Sequence, residues 1–253
     1  ILFSLILRGV ALEFRGLSSG ESWKKNWDRA LFAGSFIPSL LFGVAFGNIF
    51  QGLPMDVNGY HGSLLSLLNP YGLLTGLFFV LLFIVHGSLW ISIKTEADLA
   101  GRASRLAGSA WFVLLVIAVS FLVFTAFATN LYTNYLDNFI LFLFPILAVL
   151  SLLGIKLFLT LNRNLAAFYA SCVTIVMVTF TGVVGLFPNL IPSSIDPNYS
   201  LTIYNSSSSV YTLKIMTVVA LIFVPIVIVY QIWSYRVFRS RLSPDASGEE
   251  GHY

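Results

Sequence analysis

The sequence predicts an all-α, polytopic membrane protein of about seven transmembrane helices packed as helical bundles, and three observations predict it. Of 253 residues, 57% are hydrophobic and 10% charged, against roughly 25% charged in a soluble domain, and mean hydropathy is +0.87. The apolar residues gather in seven long runs. The connections between these runs alternate between basic and free of Lys and Arg. Too few charges exist to cover a water-facing surface, which excludes a soluble globular domain, a disordered chain and a nucleic-acid binder, and leaves lipid as the outer solvent.

The first run, 1–12, keeps about a dozen apolar residues where ~20 are needed to cross a ~30 Å hydrocarbon core. It opens on Ile1 with no Met and reads as the later part of a spanning helix, with N-terminal residues of the protein expected before it. The runs 30–50, 71–93, 110–130, 138–160, 165–188 and 213–235 are each long enough to span. All must be helices, because lipid cannot satisfy a free backbone group. Pro38, Pro145 and Pro225 fall within these runs and are read as kinks. Gly43-Val-Ala-Phe-Gly47 and Gly72-Leu-Leu-Thr-Gly76 have the spacing that lets helix backbones approach closely. Residues 1–238 read as one transmembrane domain, and 239–253, with Pro, Gly, Ser and Glu, as a disordered tail.

Residues 13–29 hold Arg15, Lys24, Lys25 and Arg29, and 94–109 hold Lys94, Arg102 and Arg105. Lys156 and Arg163 flank the third basic connection, and Arg236, Arg239 and Arg241 sit at the C-terminal end. Residues 51–70, 131–137 and 189–212 hold no Lys or Arg. The positive-inside rule then puts the basic connections and the C-terminus in the cytoplasm. On the other side, 189–212 is rich in Pro, Asn and Ser, which favour turns and local side-chain caps. Asn198-Tyr-Ser and Asn205-Ser-Ser match the glycosylation acceptor pattern, a motif of little specificity.

Few residues could carry chemistry. Arg8 lies inside the apolar stub; an ionisable group at that depth marks a functional site by default, or else snorkels to the interface or pairs with an acid on a neighbouring helix. Glu13 lies at the membrane edge, as an interface charge or a proton donor from the cytoplasm. His86 sits roughly 12 Å of helix rise before Lys94, and could be a haem ligand, a quinone contact, a proton relay or a structural hydrogen-bond partner. Asn48, Gln51 and Asn69 sit beside Gly47, Gly52 and Pro70; helix ends of this kind leave backbone groups for amide side chains to satisfy, and the same amides could meet a quinone carbonyl.

Other chemistries find no residues here. Cys172 is the only cysteine, and His61, His86 and His252 are the only histidines, so no internal disulfide, Cys-ligated metal or bis-His haem can be built from the spans. No phosphate loop, zinc motif or nucleophilic triad is present, and no catalytic or metal-binding residue is assigned. A secondary transporter would show repeats and broken midplane helices; no repeat is apparent. From the residues alone the chain reads as a non-catalytic membrane subunit or a small transporter.

Several segments together carry a resemblance. Arg8-Gly-Val-Ala-Leu-Glu-Phe-Arg15, Trp23-Lys-Lys-Asn-Trp-Asp28 and Gly34-Ser-Phe-Ile-Pro38 come first. Phe42-Gly-Val-Ala-Phe-Gly-Asn-Ile-Phe-Gln-Gly-Leu-Pro54, Leu68-Asn-Pro-Tyr-Gly-Leu-Leu74 and His86-Gly-Ser-Leu-Trp90 follow. Phe187-Pro-Asn-Leu-Ile-Pro-Ser-Ser194, Ser200-Leu-Thr-Ile-Tyr-Asn-Ser-Ser-Ser208 and Thr212-Leu-Lys-Ile-Met216 complete the set. In this order and spacing the chain resembles subunit II of cytochrome bd-type quinol oxidases, from Arg8 to about Phe238.

The resemblance implies eight spans, so one whole span and part of another would precede Ile1. It implies a haem-free subunit that stabilises a subunit I carrying haems b and d. It also implies proton delivery from the cytoplasm as the complex oxidises membrane quinol and reduces O2 to water. In some members subunit II holds a structural quinone, and some complexes add a small single-span subunit. The location implied is a bacterial plasma (inner) membrane. Arg8 and Glu13 match family positions on the proton path; His86 is a further path candidate, and Trp27, Asp28, Asn48, Gln51 and Asn69 are the quinone or structural polar candidates. A secondary transporter and a purely structural scaffold remain the alternatives.

Overall fold

The computed structural model describes residues 1–238; the tail expected to be disordered, 239–253, lies outside the described residues. Each of the seven apolar runs forms a helix. They are α1 (Leu2–Arg15), α2 (Glu21–Gln51), α3 (Pro70–Lys94), α4 (Ala97–Ala128), then after a short α5 (Thr133–Asp137), α6 (Leu143–Thr160), α7 (Asn164–Leu186) and α8 (Val210–Val237). Six of them, α2, α3, α4, α6, α7 and α8, are long and apolar enough to cross a membrane, α6 together with the 3-10 turn Phe139–Phe142 before it. α1 has 14 residues and is about 21 Å long, short of a full crossing.

Two helices start well before their apolar runs. α2 begins at Glu21 and α4 at Ala97, where the runs begin at 30 and 110. Each carries an acid in its first turn, Glu21 or Asp98, favoured by the helix dipole. Each acid meets a base one turn on, Glu21 with Lys25 and Asp98 with Arg102, both at 3.7 Å. Hydropathy marks where lipid ends; the helix continues into the polar layer because its backbone bonds are as good there. Pro38 and Pro225 lie inside α2 and α8. Pro145 instead occupies the first turn of α6, where no N–H is needed.

α3 is the central helix, packed on α2, α4 and α7. Toward α2 the contact is made of small residues. A methyl on Gly43 would lie 2.5 Å from Thr75 O and 2.6 Å from Gly76 Cα, and one on Gly76 would lie 2.9 Å from Leu40 O. The two small-residue motifs therefore face each other and bring backbone against backbone. Toward α4 and α7 the contact is bulky: Phe78, Leu82, Val85 and Leu89 interlock with Ala107, Trp111, Leu114 and Ala118, and with Leu152, Ile155, Ala167 and Ala170 from α6 and α7. Two buried polar links cross this core. Trp111 Nε1 donates to Leu152 O at 2.7 Å, and Tyr71 Oη and Thr125 Oγ1 share a hydrogen bond of 2.8 Å.

α1 packs on α2 at Gly34, where a methyl would lie 2.9 Å from Arg8 N. α8 buries no residue; near its C-terminal end Tyr235 meets Trp90 edge-on at 5.9 Å and Lys94 Nζ donates to Phe238 O at 2.6 Å.

The two long connections free of Lys and Arg knit together. The hairpin β1 (Met55–Asp56) and β2 (Gly59–Tyr60) pairs Met55 with Tyr60, and β3 (Asn189–Ile191) pairs with β4 (Leu201–Thr202). Leu53 N donates to Pro192 O at 2.9 Å, Ser194 N to Leu53 O at 2.9 Å, and Ser193 Oγ to Met55 O at 2.6 Å. Gly52 ends α2 with φ +89°, facing Pro192 O, a conformation that favours glycine. The Asn and Ser residues of 189–212 act as the turn chemistry requires: Asn205 Oδ1 accepts from Thr202 N at 2.7 Å and its Nδ2 donates to Ser200 O at 2.9 Å. In the hairpin, Asp56 Oδ1 accepts from Asn58 N at 2.6 Å and meets His61 Nε2 at 2.7 Å. The His61 hydrogen bond, then the Asn58 amide, hold the Asp56 carboxyl below its usual range.

Two outcomes are expected. Gly43→Ala costs about 1–3 kcal/mol through overpacking and lowers the thermal midpoint of the detergent-solubilised protein. Gly101→Ala, whose added methyl meets only the end of the flexible Arg105 side chain at 3.9 Å, leaves it unchanged or raised. Because the Asp56 pKa is depressed in the folded state, its stabilisation is present above the ordinary carboxylate pKa and is lost as pH falls through the lowered one. Hydrogen-exchange protection over 53–62, corrected for intrinsic rates, should therefore fall with acid, and Asp56→Asn should flatten that dependence.

Candidate functional site

The sequence-predicted residues separate into three places. Trp27, Asp28 and the neighbourhood of Glu13 form the α1–α2 corner on the basic side. Arg15 Nε donates to Asp28 Oδ1 at 2.6 Å and Nη2 to Oδ2 at 3.4 Å. Trp23 Nε1 donates to Phe14 O at 2.8 Å, and the Trp27 ring stands 5.4 Å from Phe14 and 5.6 Å from Trp23. An aromatic clamp and a two-pronged ion pair thus fix the angle at which α1 meets α2. This positions Arg8, whose backbone lies against Gly34, while its side chain is exposed with no ion pair to the described residues. Glu13 is also exposed. Five residues apart on a helix, Arg8 and Glu13 point about 140° apart, so they share no face.

Asn48, Gln51 and Asn69 lie at the other end of α2, about 30 Å of helix away. Asn48 donates both amide hydrogens, to Val44 O at 2.8 Å and Leu67 O at 2.7 Å. Asn69 Nδ2 donates to Asn48 Oδ1 at 2.8 Å, and Asn69 Oδ1 accepts from Gly72 N at 2.7 Å, capping α3 beside Pro70. These amides are turned inward on each other and on backbone, which leaves little donor capacity for a quinone carbonyl. Gln51 is exposed and makes no side-chain hydrogen bond among the described residues.

His86 faces neither group. Its Nδ1 lies 2.8 Å from Ser171 Oγ, and that hydroxyl lies 2.6 Å from Phe168 O. With the serine hydrogen on the carbonyl, the imidazole carries its hydrogen on Nδ1 and leaves Nε2 as an acceptor. The ring lies 4.9 Å from the Phe168 ring, in a cleft completed by Gly87, Trp90 and Tyr235. The cleft thus sets one imidazole and one phenol, His86 and Tyr235, among apolar rings. Among the described residues no three His, Cys, Asp or Glu side chains come together as a metal site.

Sequence reasoning missed Ser171, because a serine in an apolar helix usually bonds its own backbone and gives no sign of a partner 85 residues away. It also missed an apolar cavity of about 160 Å3 between α2, α3, α4, α6 and α7, because a void has no motif.

Asn48→Ala leaves the Leu67 carbonyl and an Asn69 hydrogen unpaired and is expected to cost about 1–3 kcal/mol, read as a lower unfolding midpoint of the purified protein. Gln51→Ala should leave that midpoint in place.

The family described as cytochrome bd terminal oxidase subunit II matches residues 1–238. A probable cytochrome oxidase subunit 2 of Haemophilus influenzae is 35% identical over 283 aligned positions, covering 100% of this chain and 75% of that protein. The cytochrome bd ubiquinol oxidase subunit 2 of Bacillus subtilis is 34% identical, covering 96% of this chain and 72% of the relative. The cytochrome bd-I ubiquinol oxidase subunit 2 of Escherichia coli K12 is 31% identical, covering 97% and 73%. By the family match over residues 1–238 and these relatives, and in keeping with its all-helical membrane architecture, the chain belongs to the cytochrome bd terminal oxidase subunit II family.

Proposed function

We propose that this chain is the haem-free second subunit of a quinol:O2 oxidoreductase of the bacterial plasma membrane. In this reading it stabilises a larger subunit that carries haems b and d. It also brings protons from the cytoplasm, on its basic side, toward the site of O2 reduction. The observation that carries the proton role is Arg8, an exposed cation among apolar neighbours in α1 with no ion pair to the described residues. A charge at that depth is expensive unless water or an opposite charge meets it. In an assembled complex, a carboxylate from another segment or subunit is the natural partner.

The chemistry follows from electrostatics. Reducing O2 to water consumes protons as well as electrons, and a site buried in a membrane must receive both through protein. A fixed guanidinium beside an acid favours the acid's charged form, and orders water around both. Glu13 lies about 7.5 Å of helix rise nearer the basic side, placed to collect protons from the cytoplasm, and its different azimuth requires a further group or water between it and Arg8. His86 stands outside this route: it faces the α7–α8 side and is engaged with Ser171. Trp27 and Asp28 hold the corner that aims Arg8, while Asn48 and Asn69 hold α2 on α3. The haems supply electron transfer and O2 activation from the partner subunit; a quinone held by this chain gains no support from the satisfied amides.

The test begins with the full-length gene product tagged at its C-terminus and isolated in mild detergent from its own host. A larger co-purifying chain with a haem d band in the red is expected; a colourless preparation without a partner would overturn the oxidase reading. In the assembled complex, Arg8→Ala should keep the reduced-minus-oxidised haem spectrum while turnover falls by about tenfold or more, the effect of ~1.4 kcal/mol on a barrier. Arg8→Lys should recover part of the rate. Full turnover in Arg8→Ala would leave the subunit a scaffold.

A further inference from the structure

Lys156 takes no part in the route just described. It lies in α6, one turn before that helix ends at Thr160 on the basic side, and it is half-buried. Its Nζ stands 4.3 Å from the centre of the Phe112 ring and 5.9 Å from that of Trp111, both on α4. It forms no ion pair with the described residues. Ring faces attract a cation but leave its net charge unanswered, and a charge at the edge of hydrocarbon is costly until an opposite charge meets it. Room for that charge lies beside it. Arg105, Gly108 and Phe112 fall at i, i+3 and i+7, on one face of α4. A methyl placed on Gly108 would meet only Lys156 Nζ, at 3.9 Å, so the glycine leaves a notch with the ammonium at its edge. Toward the cytoplasm, Arg105 is exposed and also without an ion pair to the described residues. Ser104 Oγ donates to Asn164 Oδ1 at 3.3 Å, which holds the turn between α6 and α7, with exposed Arg163, beside this stretch of α4. Asp98, the acid on the same helix, is engaged with Arg102. On the membrane side of the notch, Phe112 and Leu157 expose apolar surface.

We propose that the notch at Gly108 binds the phosphate of an anionic phospholipid, with Lys156 as its main contact and Arg105 and Arg163 as outer cations. Charge selects an anion, because these cations meet no acid among the described residues. Level selects a lipid phosphate, because the notch sits where the apolar run of α4 begins, on the side that the positive-inside rule places in the cytoplasm. Basic pockets between membrane helices on that side suit anionic headgroups. The exposed Phe112 and Leu157 below it favour an anion that carries its own apolar body. Binding is reversible and makes no bond, and it does not depend on the oxidase reading.

The probe is phosphatidylglycerol, with phosphatidylcholine as the neutral comparison. The full-length protein, isolated with whatever chains accompany it, is delipidated, titrated with each lipid and read by native mass spectrometry. Phosphatidylglycerol should be retained in preference to phosphatidylcholine. Lys156→Gln should weaken that retention about fivefold, the effect of ~1 kcal/mol per basic residue near an anionic surface. Gly108→Leu keeps every cation but fills the notch, and should weaken it as much, which attraction to charge alone would not produce. Lys156→Arg should hold the lipid, as should Lys24→Gln, which removes an exposed cation on α2. A structure of the phosphatidylglycerol-loaded protein should show the phosphate at Gly108. The proposal is overturned by equal retention of the two lipids, by Lys156→Gln and Gly108→Leu that both retain phosphatidylglycerol fully, by a partner chain's carboxylate seated on Lys156, or by inorganic phosphate displacing the lipid at equal concentration, which would make the ligand a soluble anion.

Discussion

The contact between α2 and α3 is the constraint on which the rest of the molecule depends. Lipid tails are as apolar as leucine, so helices in a bilayer gain nothing from hiding hydrophobic surface and must associate through packing and hydrogen bonds. Gly43 and Gly47 against Gly72, Thr75 and Gly76 let two backbones approach as no larger residues could. The Asn48–Asn69 pair locks the end of this seam and caps α3 in the same stroke. Once α3 is set, its opposite faces carry the interlocked core with α4, α6 and α7. The α2 helix carries α1, and with it Arg8, at Gly34.

Polar satisfaction is the second organising demand. In hydrocarbon an unpaired donor has no water to fall back on. Trp111, Tyr71, Tyr135, Asn134 and Thr174 each find an acceptor on another helix or connection. Asn134 gathers the C-terminal carbonyls of α7, including Phe187 O, groups that a helix end otherwise leaves open. Arg8 makes no ion pair with the described residues.

The candidate site was partly legible from residues alone. Arg8 announces itself as a cation among apolar neighbours, and Asn69-Pro70 announces a helix start. The partnership of Asn48 with Asn69 spans 21 residues, and that of His86 with Ser171 spans 85. Neither leaves a trace in local spacing, since either amide or imidazole could equally have met its own helix. Asp28 reads from the sequence as a quinone or structural polar candidate; its hydrogen-bond partner Arg15 lies 13 residues back across the corner. The helix starts at Glu21 and Ala97 were hidden because hydropathy reports the solvent and not the backbone.

By itself the sequence determined the solvent, the spans and the alternation of basic connections, because each depends on composition within one segment and on transfer energies that act locally. The in-order motifs from Arg8 to Phe238 carry the family resemblance, and the family match over residues 1–238 agrees with it. Only the tertiary structure decided which small-residue motif meets which, that the two long connections on the Lys- and Arg-free side pair through Leu53 and Ser193, where His86 points, and that five helices leave an apolar cavity between them. These are matters of register and azimuth between segments distant in the chain, and close packing sets them jointly, so no single segment carries the answer.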